Sequence, residues 1–200
     1  PFFGRETRTI PNGVDIQSFS PTPNRAADCV ELLTVAALEP RKGMDKVINA
    51  LPRVIEQFSH VHYTILGEGD DRERLQSLIN AHHLGDHVTL AGSVDDVRPY
   101  MNRADLFLLL SVGEGLPNAF LEALAMQLPS IVADVPPYDT IAKPEFSVRV
   151  APDNTGQLAG VICDLMRSEE KRLAMGRAAR EHAEATYSWG HVAEQYTALF

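Results

Sequence analysis

Residues 105–134 read DLFLLLSVGEGLPNAFLEALAMQLPSIVAD, and this stretch decides the fold. It begins with an apolar run of strand length, continues through a glycine-containing turn, and then places apolar residues at helical spacing. A second short apolar run, rich in β-branched residues, ends the stretch. A strand, a helix and another strand in this order predict a right-handed crossover between two parallel strands.

The same alternation extends along the chain in both directions. The predicted strands cover residues 30–38, 61–69, 87–92, 105–111, 129–135 and 146–152. Their near-continuous apolar character is typical of parallel strands that are buried on both faces. We therefore predict an α/β fold with α/β/α layers and a parallel sheet of about six strands.

Helical periodicity fills the segments between these strands and the C-terminal part of the chain. Pro52 lies inside the first helical pattern and predicts a kink or a break there. The segment at 169–187 is predicted to be an amphipathic helix that packs Leu173, Met175 and Ala178 inward.

The composition restricts the function classes. The chain has 200 residues, a net charge of −9 and 44% hydrophobic residues, which is sufficient for one sizeable core. The acidic balance argues against nonspecific nucleic-acid binding, and no apolar run approaches the roughly 18 residues that a membrane span needs. Cys29 and Cys163 match no metal or redox spacing, and the histidines are scattered, so we predict no metal site.

Ligands of open parallel sheets bind at the carboxyl ends of the strands, so the loops there are the candidate site. The loop after the first strand carries Arg41 and Lys42, which are either a phosphate-binding pair or a solvated basic turn. The loop at Gly67–Asp71 lacks the third glycine of a dinucleotide-binding fingerprint, and it is either a binding loop or a structural turn.

The loop and helix after the fourth strand give the most specific signal. Glu114 lies at the strand tip and Glu122 lies inside the helix, in an E-x7-E spacing. Gly113 and Gly115 leave the backbone accessible, and the N–H groups of a helix that begins at Pro117 can bind phosphate or sugar oxygens. Two carboxylates that accept hydrogen bonds from hydroxyl groups, beside such a helix end, indicate a nucleotide sugar. Two ordinary surface glutamates are the alternative.

Five segments of the chain carry a resemblance to a known family. In chain order they are TIPNGVDIQSFSP, EPRKGMDKVINAL, ILGEGDDRERLQSL, VTLAGSVDDVRPYMNRADLFLLLSVGEGLPNAFLEALAMQLPSIVADV and YSWGHVAEQYTALF. Together they resemble the C-terminal half of retaining glycosyltransferases with the GT-B fold, and the most similar group is glycosyltransferase family 4. The resemblance is collinear from about Thr9 to Phe200.

The resemblance implies two Rossmann-like domains that face each other across a cleft, with this chain as the donor-binding domain. Residues 1–28 would then be an interdomain linker, residues 29–200 the nucleotide-sugar-binding domain with its C-terminal helices, and the N-terminal acceptor domain would be absent. The implied partners are a UDP- or GDP-sugar and that acceptor domain, with no metal, cofactor or nucleic acid. The implied location is cytoplasmic, with peripheral association at the inner face of the membrane as an alternative.

The resemblance also assigns roles to residues. Lys42 matches the lysine that contacts the diphosphate, and Glu114 matches the glutamate beside the hydroxyls of the transferred sugar; these are the implied catalytic residues. Glu122 matches the glutamate that grips the ribose. The other implied donor-binding residues are Arg41, Gly67, Glu68, Gly69, Ser93, Val94, Gly115, Leu116, Pro117 and Asn118. The family's proposed route is front-face departure of the nucleoside diphosphate, with cationic groups that stabilise its charge.

Two segments depart from the family pattern. Ala36 and Ala37 stand where the family has glycine and arginine, and VPPYDT at 135–140 replaces a glycine pair followed by an acidic residue. Loss of one cation weakens leaving-group stabilisation. The alternative function is therefore a non-catalytic nucleotide-sugar-binding or interaction domain. Another GT-B enzyme, such as an epimerase or a phosphorylase, fits the E-x7-E segment less well. We also predict that the chain alone transfers sugar inefficiently.

Overall fold

The computed structural model describes residues 9–22 and 29–198, and in these residues it confirms the α/β fold. A sheet of six strands has the order β3-β2-β1-β4-β5-β6, and all its neighbouring strands run parallel. The strands are β1 (Val30–Val35), β2 (Val61–Leu66), β3 (Val88–Gly92), β4 (Leu106–Leu109), β5 (Ser130–Ala133) and β6 (Ser147–Val150).

Helices cover both faces of the sheet. They are α1 (Met44–Ile55), α2 (Arg72–Ala81), α3 (Arg98–Arg103), α4 (Asn118–Ala125), α5 (Tyr138–Ile141), α6 (Thr155–Met166), α7 (Glu169–Tyr187) and α8 (Trp189–Thr197). Helices α1, α2 and α6 share one hydrophobic core, and α3, α4 and α7 share the other. Successive strand residues point to opposite faces. Accordingly Leu32 and Leu108 belong to the first core, whereas Leu33 and Phe107 belong to the second.

The strand order reverses between β1 and β4. From β1 the chain moves outward to β2 and β3, and it then returns to pair β4 with the other side of β1 before it continues to β5 and β6. The helices that follow β1 and β4 therefore lie on opposite faces of the sheet, and the loops that lead to them border a crevice at its carboxyl edge. This is the position at which sheets of this kind bind ligands.

The helices differ from expectation at two points. The break that Pro52 could have caused does not occur, because α1 runs from Met44 to Ile55 with the proline inside it. Leu173 does not face inward, because 45% of it is exposed. The inward stripe of α7 instead follows Arg172, Met175, Ala179 and Ala183, and Leu173 lies one residue, about 100°, around the helix from it.

The segment after β5 at 135–139, expected to be a loop, leads into the short helix α5, which begins at Tyr138. The predicted linker at 1–28 lies partly outside the described residues, at 1–8 and 23–28. Its described part lies against the C-terminal helices: Val14 N–H donates to the Tyr187 carbonyl oxygen at 2.7 Å. The Arg180 guanidinium donates to the carbonyl oxygens of Phe19 and Ile16 at 2.5 and 3.0 Å.

Candidate functional site

The two loops of the crevice contact each other directly. After β1 the chain forms a 3-10 turn at Pro40–Lys42, and Gly43 ends this turn with a φ of 74°. A methyl group at Gly43 would lie 2.5 Å from the Leu110 carbonyl oxygen, so the turn is pressed against the end of β4. The Val112 N–H donates to the Arg41 carbonyl oxygen at 2.9 Å. These contacts place the basic turn opposite Glu114.

Two cations converge on one carboxylate oxygen in this crevice. Lys42 Nζ lies 2.5 Å from Glu114 Oε1, and Arg41 Nη1 lies 2.6 Å from the same atom. The side chains of Lys42 and Glu114 are only 13% and 15% exposed, whereas that of Arg41 is 46% exposed. Arg41 Nε also donates to Glu39 Oε2 at 2.6 Å. The structure thus brings Arg41, Lys42 and Glu114 together, and their roles in binding a donor stay a prediction.

The charge of Glu114 is stabilised by its neighbours. Burial alone would raise the pKa of this carboxyl, but the hydrogen bond and charge of Lys42, together with Arg41, offset that effect and bring the pKa below its ordinary value. Glu114 is therefore ionised at neutral pH. A second set of anionic oxygens entering the crevice would compete with it for the same two cations.

Glu122 lies in a different environment. It is half-buried on α4, and burial raises the pKa of its carboxyl. Within residues 9–22 and 29–198 its carboxylate has no hydrogen-bond or ion-pair partner. A carboxylate that is partly removed from water and lacks donors is costly in the folded state. It is also ready to accept hydrogen bonds from a ligand.

This environment makes a prediction about stability. Glu122→Gln is expected to raise the free energy of unfolding at about pH 7 and to change it little below about pH 4. The folded pKa of Glu122 is raised, so its contribution to stability is fully present below the unfolded pKa and is lost as the pH rises through the folded pKa. Glutamine carries no charge and avoids that loss. Urea unfolding at the two pH values measures the difference, and equal effects at both would contradict it.

A groove lies at the carboxyl ends of β1, β2 and β3. Its volume is about 260 Å³, and it is lined by Val35, Ala36, Ala37, Leu66, Gly67, Ser93, Val94 and Val97. The predicted donor-binding residues Gly67, Ser93 and Val94 are thus brought together here. Because Ala36 and Ala37 form one wall, that wall is small and uncharged.

Other predicted site residues have structural reasons for their identity. Gly67 and Gly69 have φ angles of 141° and 159°, and a methyl group on them would lie 1.9 Å from the Ala36 and 2.3 Å from the Leu38 carbonyl oxygen. The structural-turn alternative for this loop therefore has direct support. The Glu68 carboxylate accepts from Arg72 at 2.9 Å. Neither Glu68 nor Gly69 lines the groove, and their contact with a donor stays a prediction.

The remaining predicted residues form the start of α4. Pro117 precedes the helix, which begins one residue later than predicted, at Asn118. Leu116 packs against the second hydrophobic core. Gly115 faces open space, and the Asn118 side-chain oxygen accepts from Asn12 Nδ2 at 3.1 Å. The loop is thus anchored at its helical end.

Sequence reasoning missed one pair beside this loop. The hydroxyl groups of Ser111 and Tyr138 lie 2.7 Å apart, and both residues are completely buried. Ser111 directly follows the apolar run of β4, and Tyr138 follows two prolines. Neither residue is itself part of a known motif, so only the fold brings the two together.

Residues 9–22 and 29–198 show neither a metal site nor a membrane span. They contain no group of three or more His, Cys, Asp or Glu side chains arranged to hold a metal ion. No helix in these ranges is long and apolar enough to cross a membrane.

Comparisons with known proteins agree on one family. The profile of the family described as Glycosyl transferases group 1 matches residues 16–182. A phosphatidyl-myo-inositol mannosyltransferase of Mycobacterium leprae is 32% identical over 98% of this chain and 54% of its own length. A GDP-mannose-dependent alpha-(1-6)-phosphatidylinositol monomannoside mannosyltransferase of Mycobacterium tuberculosis is 28% identical over 92% of this chain and 53% of its own length.

A solved structure shares the fold. The sucrose-phosphate synthase of Thermosynechococcus elongatus superposes with a TM-score of 0.88 and 25% identity, over 98% of this chain and 52% of that one. The chain therefore spans about half the length of the curated relatives and of this structure.

Proposed function

We propose, from the premise that this chain belongs to the glycosyl transferases of group 1, that it is the donor-binding part of a retaining glycosyltransferase of family 4. It binds a nucleoside-diphosphate sugar and presents the sugar to an acceptor. The observation that carries the proposal is the convergence of Arg41 and Lys42 on Glu114 at the point where the strand order reverses.

The diphosphate binds at the two cations. A lysine ammonium is a mobile point charge that suits phosphate, and an arginine guanidinium can hold two oxygens at once. Arg41 supplies the second cation, because Ala37 stands where the resembled family has an arginine. During transfer, negative charge grows on the departing diphosphate, and cations that are already in place stabilise it without reorganisation.

The sugar binds beside Glu114. When phosphate oxygens take over part of the interaction with Lys42 and Arg41, the Glu114 carboxylate gains capacity to accept hydrogen bonds from sugar hydroxyls. The first N–H groups of α4 have no partner inside the helix, and they supply donors on the other side of the same loop. Acceptors and donors therefore surround the sugar position.

The nucleoside occupies the inner part of the crevice. Glu122 accepts hydrogen bonds from the ribose hydroxyls, which removes the cost of its unpartnered, half-buried carboxylate. The groove lined by Gly67, Ser93 and Val94 takes the base. Its apolar walls bury a flat ring and leave backbone groups to read the ring edge.

The rest of the reaction lies outside this chain. We infer that the acceptor site belongs to an N-terminal domain of a longer protein, and that the isolated chain transfers sugar inefficiently. No metal is expected in the transfer.

The GDP-mannose dependence of one relative supports a GDP-sugar as a donor beside a UDP-sugar. A cytoplasmic location, with peripheral association at the inner face of the membrane, stays part of the proposal, and relatives named for phosphatidylinositol acceptors support the association with lipid.

Calorimetric titration of the chain with UDP, GDP, UDP-glucose and GDP-mannose tests the donor site. We expect micromolar to millimolar binding of one base series, and a loss of about tenfold in affinity for the same series in Glu122→Gln. Glu31→Gln is the matched control, since burial also raises the pKa of Glu31, which lies at the start of β1, away from the crevice. Absence of binding to all four compounds, or equal losses in both variants, would contradict the proposal.

A second candidate function uses the same site to bind the donor but does not include transfer of the sugar. The uncharged wall at Ala36 and Ala37 favours a domain that binds nucleotide sugars but no longer transfers them. Titration does not separate the two functions, because both bind the donor. A transfer assay on the longer protein, with radiolabelled donor and a lipid extract as acceptor, does separate them.

A further inference from the structure

The loop that carries Glu114 is hydrogen-bonded to the segment after β5, the strand that pairs with β4 on the side opposite β1. Ser111 lies at the root of this loop, three residues before Glu114, and its hydroxyl is 2.7 Å from that of Tyr138. Tyr138 begins α5, which follows β5. Its ring also meets the ring of Phe120 on α4 edge to face, with centroids 6.3 Å apart. One buried tyrosine therefore contacts both ends of the loop.

The loop is thus held from two directions. From the β1 side it is held by the hydrogen bond between Val112 and the Arg41 carbonyl, and by the ion pairs of Glu114. From the β5 side it is held by the Tyr138 hydroxyl. A methyl group added at Gly113 or Gly115, on either side of Glu114, would meet no atom within 4 Å, so no side-chain packing holds the loop at these two positions. The position of the carboxylate consequently depends on these ties.

We propose that Tyr138 is a positioning residue. Its hydroxyl fixes Ser111 and thereby keeps the Glu114 carboxylate within hydrogen-bond reach of both the two cations and the sugar. The inference rests on the proposed function for the identity of the ligand. A misplacement of about 1 Å in an active site can cost about 100-fold in rate, even when the substitution lies far from the reacting atoms. The small, open loop around Glu114 makes such a displacement easy once the tie is removed.

The environment of Tyr138 agrees with this role. Burial raises the pKa of Tyr138 to about 12, and the negative charge of Glu114 adds to that increase. The hydroxyl is therefore neutral at physiological pH and able to share a hydrogen bond with Ser111. The charged groups around Glu114 are Arg41 and Lys42, with Glu39 bound to Arg41.

The test compares Tyr138→Phe with Tyr63→Phe. Tyr63 is an equally buried tyrosine whose hydroxyl lies 2.8 Å from that of Thr34, inside the sheet and between β1 and β2. Both variants lose one buried hydroxyl. The double variant S111A/Y138F removes the hydroxyl that Tyr138→Phe leaves without a partner. Two quantities are measured: the pKa of the Glu114 carboxyl by ¹³C NMR titration, and the ratio of the affinities for a sugar nucleotide and its nucleoside diphosphate.

We expect Tyr138→Phe and S111A/Y138F to raise the Glu114 pKa toward its ordinary value and to reduce the affinity ratio by about threefold to tenfold. Tyr63→Phe should change neither quantity. An unchanged Glu114 pKa in Tyr138→Phe, or an equal change in Tyr63→Phe, overturns the proposal. If the unmodified chain binds no nucleotide, the donor-site proposal fails, but the NMR titration needs no ligand and still decides the role of Tyr138.

Discussion

Lys42→Ala is expected to weaken the binding of a nucleoside diphosphate by roughly 10- to 100-fold, because a hydrogen bond to a charged group contributes about 1.5–3 kcal/mol. The Lys42 side chain is only 13% exposed, so its ammonium is less screened by water and salt than the guanidinium of Arg41, which is 46% exposed. Ala36 and Ala37 add no charge at the end of β1. Most of the electrostatic attraction for phosphate therefore depends on Lys42.

Lys46→Ala provides the matched control. Lys46 lies four residues further along the chain, in the first turn of α1, carries the same charge and pairs with Asp153. Its removal changes the net charge equally but leaves the pairing with Glu114 intact. We expect the affinity to change by less than about threefold in this variant, as is typical of a surface ion pair. Titration calorimetry with UDP and GDP at one salt concentration measures both variants.

A double-mutant cycle of Lys42→Ala and Glu114→Gln separates two effects. One is the attraction of Lys42 for the diphosphate, and the other is the competition of the Glu114 carboxylate for the same lysine. In the unmodified chain a diphosphate must share Lys42 with the Glu114 carboxylate. Glu114→Gln alone should therefore bind a nucleoside diphosphate at least as tightly as the unmodified chain, while it loses the advantage of the sugar nucleotide. If Lys42→Ala leaves the affinity unchanged although Glu122→Gln reduces it, the diphosphate binds elsewhere in the crevice. Non-additivity of the two substitutions measures their coupling.

The alternation of apolar runs and helical periods was enough to predict the sheet and its layers. It also brought Lys42 and Glu114 into one site, although 72 residues separate them, because the carboxyl ends of parallel strands lie at one edge. The pattern of apolar runs and helical periods does not predict which side chains pair within the site. That Arg41 turns toward Glu114 depends on the 3-10 turn at Pro40–Lys42, and no periodicity in the sequence indicates it.

The missed features share a physical cause. Ser111 and Tyr138 meet because β4 and β5 are neighbours, and neither residue is itself part of a chemical motif. Leu173 was placed inward because it is apolar, yet the stripe of α7 is defined by the buried Arg172, which donates to the Leu165 carbonyl oxygen at 2.8 Å. Hydrophobic pattern alone does not anticipate a buried cation.

Gly67→Ala is expected to destabilise the fold by roughly 3–5 kcal/mol, the sum of backbone strain and overpacking at one site. Gly67 has a φ of 141°, a conformation that residues with a Cβ rarely adopt, and the new methyl group would lie 1.9 Å from the Ala36 carbonyl oxygen. That oxygen belongs to the backbone directly after β1, so it cannot move away without disturbing the strand. Domains have only about 5–15 kcal/mol of stability, so the loss is a large fraction of the total.

Gly160→Ala is the control variant, and we expect it to change the free energy of unfolding in the opposite direction. Gly160 lies inside α6, and a methyl group there meets no atom within 4 Å. Alanine is a better helix former than glycine, so this variant should be more stable by about 0.5–1 kcal/mol. Urea unfolding followed by circular dichroism measures both changes. If Gly67→Ala unfolds like the unmodified chain and loses only its affinity for nucleotides, this glycine is needed for close approach of a ligand, and the packing of the β2 loop against β1 does not explain it.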